Sequence, residues 1–248
     1  MQVAVTVITR NEEERIGAML ESVRWAAEVV VVDCGSTDRT VEKARGFTDR
    51  VVHHEFSDFA SQKNYAHSLT GRDWILNLDA DEVCTPELAA EIQALPEEGC
   101  EGYLISRQNQ FQGRWIRHCG WSPDYKLRLY RKSRGSWKGR VHESVELEPG
   151  AGPRKLRGKL LHYTYKDFER YLSSIHQFSK LAADQMREQG KQTGALDLLV
   201  RPPLAFLKKY LLQLGILDGT PGFVISALTA YSVFCRYALL SESKDAGR

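Results

Sequence analysis

The chain has 248 residues, a formal net charge of +2, 42% hydrophobic residues and 27% charged ones, which describes a globular protein with a real core and excludes a disordered or collagen-like chain. So small a net charge gives no ground for a nucleic-acid partner. The five cysteines, Cys34, Cys84, Cys100, Cys119 and Cys235, are odd in number and hold no CxxC pair, so no disulfide framework or structural zinc site is expected and reduced cytosolic thiols are the simplest reading.

Gln2 to Ile8 is apolar and β-branched, the pattern of a buried first strand. No basic segment or cleavage site accompanies it, so it does not read as a signal peptide. After the polar break at Thr9 to Glu14, Ile16, Met19, Leu20 and Val23 recur at helical spacing. Glu28 to Val32 is a second strand, and it too ends in polar residues, Asp33 to Asp38. Gly35 permits a tight turn there, and Ser36, Thr37 or Asp38 can cap a helix carrying Val41 and Ala44. Val51 and Val52 mark a third strand, and Phe59 to Leu69 a helix containing Gln62-Lys63-Asn64.

Trp74-Ile75-Leu76-Asn77-Leu78 then reads as a buried strand that ends in carboxylates, Asp79-Ala80-Asp81-Glu82. Such acids cannot be buried without a partner. On an extended backbone Asp79 and Asp81 point the same way, so one hard cation fits between them or on one of them; the plainer alternative is a turn in which Asp79 caps the next helix. The first ~95 residues alternate strand and helix, which predicts a parallel sheet flanked by helices. Right-handed crossovers bring the three polar strand ends to one edge of it, where an open α/β sheet binds its ligand. No GxGxxG or GxxxxGK[ST] occurs, which argues against a dinucleotide-binding domain or a P-loop nucleotidase.

Pro86 to Leu95 predicts a short helix with proline in its first turn. Gly102 to Leu147 is rich in aromatics, Arg and Gly. Within it, Lys126 to Arg131 alternates as a half-exposed strand, and Leu156 to Tyr165 predicts another. The basic run from Lys126 to Lys159 is a solvated face or a contact for an anionic substrate or membrane. From Lys166 the chain reads as helical. Phe168, Tyr171, Leu172, Ile175 and Phe178 form one face, Arg201-Pro202-Pro203 and Asp218 to Gly222 are breaks, and Leu204 to Leu217 and Phe223 to Leu240 are helices. With Lys208, Lys209 and Arg236 these last helices suit either in-plane attachment to a membrane or packing on the domain or in a dimer.

Four blocks in this order, Val7 to Glu12, Val30 to Asp38, Lys63-Asn64 and Leu78 to Glu82, resemble the family 2 glycosyltransferases with the GT-A fold. Later blocks, Arg128 to Arg131, Gly139 to Glu143, Leu161 to Tyr165 and Gly215 to Gly219, resemble the lipopolysaccharide core β-glucosyltransferase branch. The resemblance implies an α/β GT-A fold, a Rossmann-like, mostly parallel sheet flanked by helices. The catalytic domain would be 1–165, with a nucleotide-sugar half (1–98) and an acceptor half (99–165), followed by a helical region at 166–248. Thr9, Asn11, Glu12 and Asp33 would hold the nucleoside, Lys63 and Asn64 would lie near base and phosphates, and Asp79 would touch ribose or metal. Asp81 would bind Mg2+ or Mn2+ on the diphosphate, with His162 a further ligand or else a structural residue.

An inverting transfer needs a base for the acceptor hydroxyl. Glu143 is the first candidate and Asp124 the second, each with a strand-end ion pair as its structural alternative. Trp115, Trp121 and Trp137 stack on acceptor sugars or pack in the core. The implied reaction moves glucose from UDP-glucose to a lipid-linked lipopolysaccharide inner core. It implies a cytoplasmic enzyme, peripheral on the inner membrane, with self-association through the C-terminal helices open. A polyprenyl-phosphate acceptor, or a non-catalytic nucleotide-binding scaffold, is the alternative.

Overall fold

The structure, a computed structural model, describes residues 1–139, 143–150, 152–164 and 168–242. It contains two compact units, one of residues 1–108 with 124–162 and one of 109–123 with the chain from 163 onward. The expected boundary at 165 therefore shifts by one excursion of the chain. Phe111, Ile116 and Cys119 are apolar and find their burial against Tyr171, Ile175, Ile225 and Leu228.

The first unit begins β1 (Val3–Thr9), α1 (Ile16–Ser22), β2 (Glu28–Asp33), α2 (Thr40–Arg45), β3 (Val51–His53), α3 (Phe59–Ser68) and β4 (Trp74–Asp79). β5 (Glu82–Cys84), α4 (Pro86–Gln93), β6 (Gly102–Phe111), β7 (Arg114–Trp115), β8 (Asp124–Arg131), β9 (Gly135–Lys138), β10 (Ser144–Leu147) and β11 (Arg154–Tyr163) follow. The main sheet runs β3-β2-β1-β4-β8-β6-β11-β5, and β9 and β10 form a separate hairpin. β1 pairs parallel with β2 and with β4, and β2 with β3. β8 is antiparallel to both β4 and β6, and β11 to β5. The sheet is thus mixed, with its parallel half built from the first four strands, as the strand–helix alternation predicts.

Val3, Val5, Val7, Leu76 and Leu78 are sealed from solvent with Ile16, Met19, Leu20 and Val23 of the first helix region. Each such side chain contributes about 1.5–3 kcal/mol on leaving water. Because β1, β2 and β4 are parallel, their C-terminal ends share one edge. Thr9 stands opposite Asp33, and Ile8 opposite Asp79. Thr85 caps α4, with Pro86 in the first turn. Asp58 caps α3 by accepting from the Ser61 N–H at 2.8 Å. None of Ser36, Thr37 and Asp38 is the N-cap of α2, which is Arg39; Asp38, just before it, accepts from the Thr40 N–H at 3.0 Å.

In the second unit the end of β6 pairs with β7, and three helices follow: α5 (Phe168–Glu188), α6 (Ala195–Leu207) and α7 (Gly219–Glu242). α7 packs against both α5 and α6. The buried face of α5 is Tyr171, Ile175, Ser179 and Ala183, while Phe168 and Phe178 are exposed. Small residues at 179 and 183 let α7 approach, and Ser179 Oγ donates to the Ser232 carbonyl at 3.1 Å. Arg201-Pro202-Pro203 is not a break. Both prolines lie inside α6, where Pro202 is buried, so packing outweighs the ~3 kcal/mol that proline costs a helix interior. A π-helical turn at Lys208–Leu212 and a 3-10 turn at Gly215–Asp218 join α6 to α7.

The Gly215 to Gly219 block has a structural role. Asp218 accepts from the Arg117 N–H at 3.1 Å and the His118 N–H at 2.9 Å. A Cβ on Gly222 would lie 1.9 Å from the Gly215 carbonyl oxygen, so only glycine allows this approach.

Candidate active site

The turn after β4 sets the geometry of the site. Ala80 and Asp81 turn the chain, and Glu82 opens β5. The Glu82 carboxylate folds back to accept from the Asp79 N–H at 3.0 Å. The extended backbone expected for Asp79-Ala80-Asp81 is therefore absent, and the two aspartates face different partners. Asp79 meets Arg128 at 2.5 Å and Lys63 at 3.1 Å. Asp81 lies 3.5 Å from Arg15 and 3.5 Å from His162 Nε2.

Arg128 is the residue that strand alternation misplaces. It sits in β8 next to β4 and is buried, not solvated, because Glu82 is fully buried and needs a cation, at 2.5 Å. Arg107 adds a second contact to Glu82 at 3.3 Å. Burial opposes the charge on Arg128, but Asp79 and Glu82 outweigh it and raise its pKa. Burial likewise pushes the Asp79 carboxyl up, and Arg128 and Lys63 more than reverse this, holding it well below the usual carboxylate range. The signal for Arg128 was present in the acids that demanded a partner and in the Arg128 to Arg131 block.

A cavity of about 450 Å³ opens at the shared edge of β1, β2 and β4. β1 and its loop supply Ile8, Thr9, Arg10 and Glu12, and β2 supplies Cys34. Lys63 comes from α3, Asp79 from the end of β4, Ala80 and Asp81 from the turn, Glu143 from just before β10, and His162 from β11. Thr9 Oγ1 is buried and has no hydrogen-bond partner among the described residues, so a polar group is free to meet a ligand. Burial pushes the Cys34 thiol up, which keeps it protonated and unreactive near neutrality. Phe56 and Phe59, exposed and packed edge to face at 5.0 Å, form a wall that sequence reasoning missed.

Lys63 is almost fully buried. Its ammonium lies 3.1 Å from Glu143 and 4.3 Å over the Trp137 ring. Trp137 is itself core, donating from Nε1 to the Tyr130 hydroxyl at 2.9 Å, and so does not stack on an acceptor sugar. Trp115 packs on Tyr163, and Trp121 on Phe111 and Tyr171.

Four candidates do not line the cavity. Asn11, with a left-handed φ of 56°, accepts the Thr37 N–H on its side-chain oxygen at 2.8 Å and ties the β1 loop to the β2 loop. Asp33 accepts from the Gly35 N–H and from the Ser36 N–H and hydroxyl. Asn64 clips the β9 hairpin by paired hydrogen bonds with the Trp137 backbone, each 2.9 Å. Asp124 is held by Arg107 at 2.6 and 2.8 Å. Much of the basic run is also paired internally: Lys126 with Asp124, Arg128 as above, Arg134 with Glu148, and Lys138 with Glu146. His142, beside Glu143, lies outside the described residues.

The sequence model described as glycosyl transferase family 2 matches residues 4–144. The chain belongs to glycosyl transferase family 2. It is 30% identical over 255 residues to the lipopolysaccharide core biosynthesis glycosyltransferase LpsC of Rhizobium meliloti, covering 94% of this chain and 92% of that protein. An uncharacterized glycosyltransferase of Rickettsia typhi is 29% identical, covering 97% of this chain and 87% of that one. Among solved structures, the mannosyltransferase PcManGT from Pyrobaculum calidifontis, in complex with GDP-Man and Mn2+, matches with a TM-score of 0.57 at 14% identity, over 97% of this chain and 87% of that one. At that identity the likeness speaks for the fold, which is GT-A. The family match covers every residue lining the cavity except His162, so the cavity lies within the glycosyltransferase part of the chain.

Proposed function

We propose that this glycosyltransferase moves glucose from UDP-glucose to a hydroxyl of a lipid-linked lipopolysaccharide inner core, with inversion at the anomeric carbon. The acceptor class is supported by the identity to LpsC along nearly the whole chain. The observation that carries the mechanism is one cavity holding a lysine-anchored carboxylate, Glu143, together with the Asp81–His162 pair.

In this reading residues 1–98 bind the donor and the strands that follow face the acceptor. Thr9 and Glu12 hold the nucleoside, and the Phe56–Phe59 wall takes the base by stacking. Asn11 and Asp33 shape the loop that presents them. Asp81 Oδ2 and His162 Nε2, 3.5 Å apart on the cavity wall, are the side chains that would hold a Mg2+ or Mn2+. Asp79 fits less well, because Arg128 at 2.5 Å and Lys63 at 3.1 Å hold its carboxylate more closely than Arg15, at 3.5 Å, holds that of Asp81. No group of three or more His, Cys, Asp or Glu side chains among the described residues is placed to hold a metal. When bound, the ion would offset the charge that develops on the leaving diphosphate. Glu143 takes the proton of the attacking hydroxyl, and Lys63 orients it. An acceptor made at the membrane puts the enzyme on the cytoplasmic face of the inner membrane.

The test is a screen of UDP-, GDP- and ADP-sugars for release of nucleoside diphosphate, with and without purified inner-core acceptor. UDP release from UDP-glucose, stimulated by acceptor, is expected. Nucleotide binding with no release from any donor would sink the reading and favour a scaffold.

A further inference from the structure

α6 carries its apolar residues on the wrong side for a soluble helix. Leu196, Leu199, Val200, Leu204, Leu207 and Leu211 recur at intervals of three and four along α6 and the turn after it, and all are exposed, Leu196 by 75% and Leu199 by 71%. The buried residue of α6 is Pro202. Leu212 and Leu217 extend the patch onto the following turns, at 80% and 64% exposure. A continuous apolar stripe of this kind marks an interaction surface.

Charge selects the occupant. From Leu196 to Leu217 the one acid is Asp197, already paired with Arg201 at 2.5 Å, which leaves Lys208 and Lys209 without an acid on the stripe. Lys208 is exposed; Lys209 is turned inward, its Nζ donating to the Cys119 carbonyl at 2.6 Å. A second copy of the chain, docked face to face about a two-fold axis, would set cation against cation. Anionic head groups would neutralise them.

Two further features fit a lipid–water boundary. Phe206, Tyr210 and Phe223 form a three-ring cluster with centroids 5.3 to 5.8 Å apart, in which Tyr210 is of the amphipathic type found at such boundaries. Beside the N-terminal end of the stripe, a cavity of about 590 Å³ is bordered by Lys191, Arg201 and Arg236. Asp197 is the one acid on its wall and is already paired with Arg201 at 2.5 Å. The Arg236 Nε is buried without a hydrogen-bond partner among the described residues.

We infer that the outer face of α6 and the turns after it lie in the plane of an anionic phospholipid bilayer, apolar side chains down, with the Lys191–Arg201–Arg236 cavity taking a head-group phosphate. This is attachment and not a span. The stretch Gly215–Glu242 is long and apolar enough to cross a membrane by length and composition; α7 packs along α5 and α6 with Ile225 and Leu228 buried, and the attachment is assigned to the exposed face of α6. The inference names the surface behind the membrane location proposed above. It rests on the second unit alone, and its test is separate from that of sugar transfer.

Full-length protein is sedimented with vesicles of phosphatidylethanolamine and phosphatidylglycerol in equal parts, and with phosphatidylcholine vesicles. Binding to the first and weaker binding to the second is expected. The exposed triple variant Leu204→Gln, Leu207→Gln, Leu211→Gln should bind at least about tenfold less, with an unchanged circular dichroism spectrum. Lys208→Gln and Arg236→Gln should each weaken binding about fivefold and flatten its salt dependence. UDP release from the donor without acceptor is read in parallel and should not change. Wild-type protein that stays in the supernatant overturns the inference. So does a wild-type dimer in light scattering that the triple variant dissolves, since that gives the face to a second copy.

Discussion

Lys63 Nζ lies 3.1 Å from Glu143 Oε1. The contact joins residues 80 positions apart in sequence and holds the proposed base against α3. If Glu143 accepts the acceptor proton, Glu143→Gln should keep its affinity for UDP and lose at least about a hundredfold in kcat, the usual weight of a general base. Lys63→Met should lower kcat by a smaller factor, because the carboxylate remains but loses its anchor. Calorimetry with UDP and steady-state kinetics separate the two. Full turnover in Glu143→Gln would move the base elsewhere.

The Asp81–His162 pair makes a claim about metal. Chelation should abolish donor turnover and leave the fold intact, since neither side chain lies in the apolar core. Asp81→Asn should lose turnover that added Mn2+ does not restore. His162→Ala should instead raise the metal concentration needed for half-maximal rate, because the anionic ligand, Asp81, survives. A metal titration of each variant checks this, and identical titration curves for wild type and His162→Ala would remove the histidine from the site.

Arg128 is a stability residue as much as a site residue. It is the closest cation to the fully buried Glu82 and one of two on Asp79. Arg128→Met should destabilise the protein by about 3–5 kcal/mol, the cost of leaving a buried charge uncompensated. Combining it with Glu82→Met should recover part of that loss, because the double variant buries neither partner. Denaturant melts of the three proteins measure both effects. Strict additivity would mean that the two residues are not coupled.

How much of this was legible beforehand depended on whether local pattern or distant pairing decided the matter. β1, β2, β4 and α1 follow from apolar runs and spacing that no tertiary contact overrides, and the convergence of Thr9, Glu12, Asp79 and Asp81 follows from parallel strands having common ends. Arg128 did not follow, because alternation assigns a face but not the buried acid across it. Asp79 and Asp81 diverge because Glu82 caps the turn between them, a hydrogen bond that residue types alone do not announce. Asn64, expected near base and phosphates, bonds the Trp137 backbone, and Asp124, the second candidate base, takes the ion pair given as its alternative, since a polar side chain near a site has local partners too. The two prolines of α6 read as a stop because a helix held by neighbours tolerates what an isolated one does not.

His67 supplies a pH effect on stability. Its Nε2 is 3.0 Å from the Lys132 carbonyl, which only accepts, so this nitrogen carries the proton in the neutral ring. The ring also packs on Tyr130 with centroids 5.8 Å apart. Burial lowers its pKa from the ordinary value, against the pull of the Lys132 hydrogen bond. Above about pH 6.5 the ring is neutral in folded and unfolded chains alike, and its contacts contribute in full. Below that the unfolded chain takes up the proton first, so stability falls with falling pH until the folded ring also protonates, by at most about 1.4 kcal/mol per pH unit for one group. His67→Gln keeps a donor for the Lys132 carbonyl and removes the titration. Its denaturation midpoint should fall less steeply than that of the wild type between about pH 6.5 and 5. Parallel curves for the two proteins over that range would show that His67 does not contribute to the acid sensitivity.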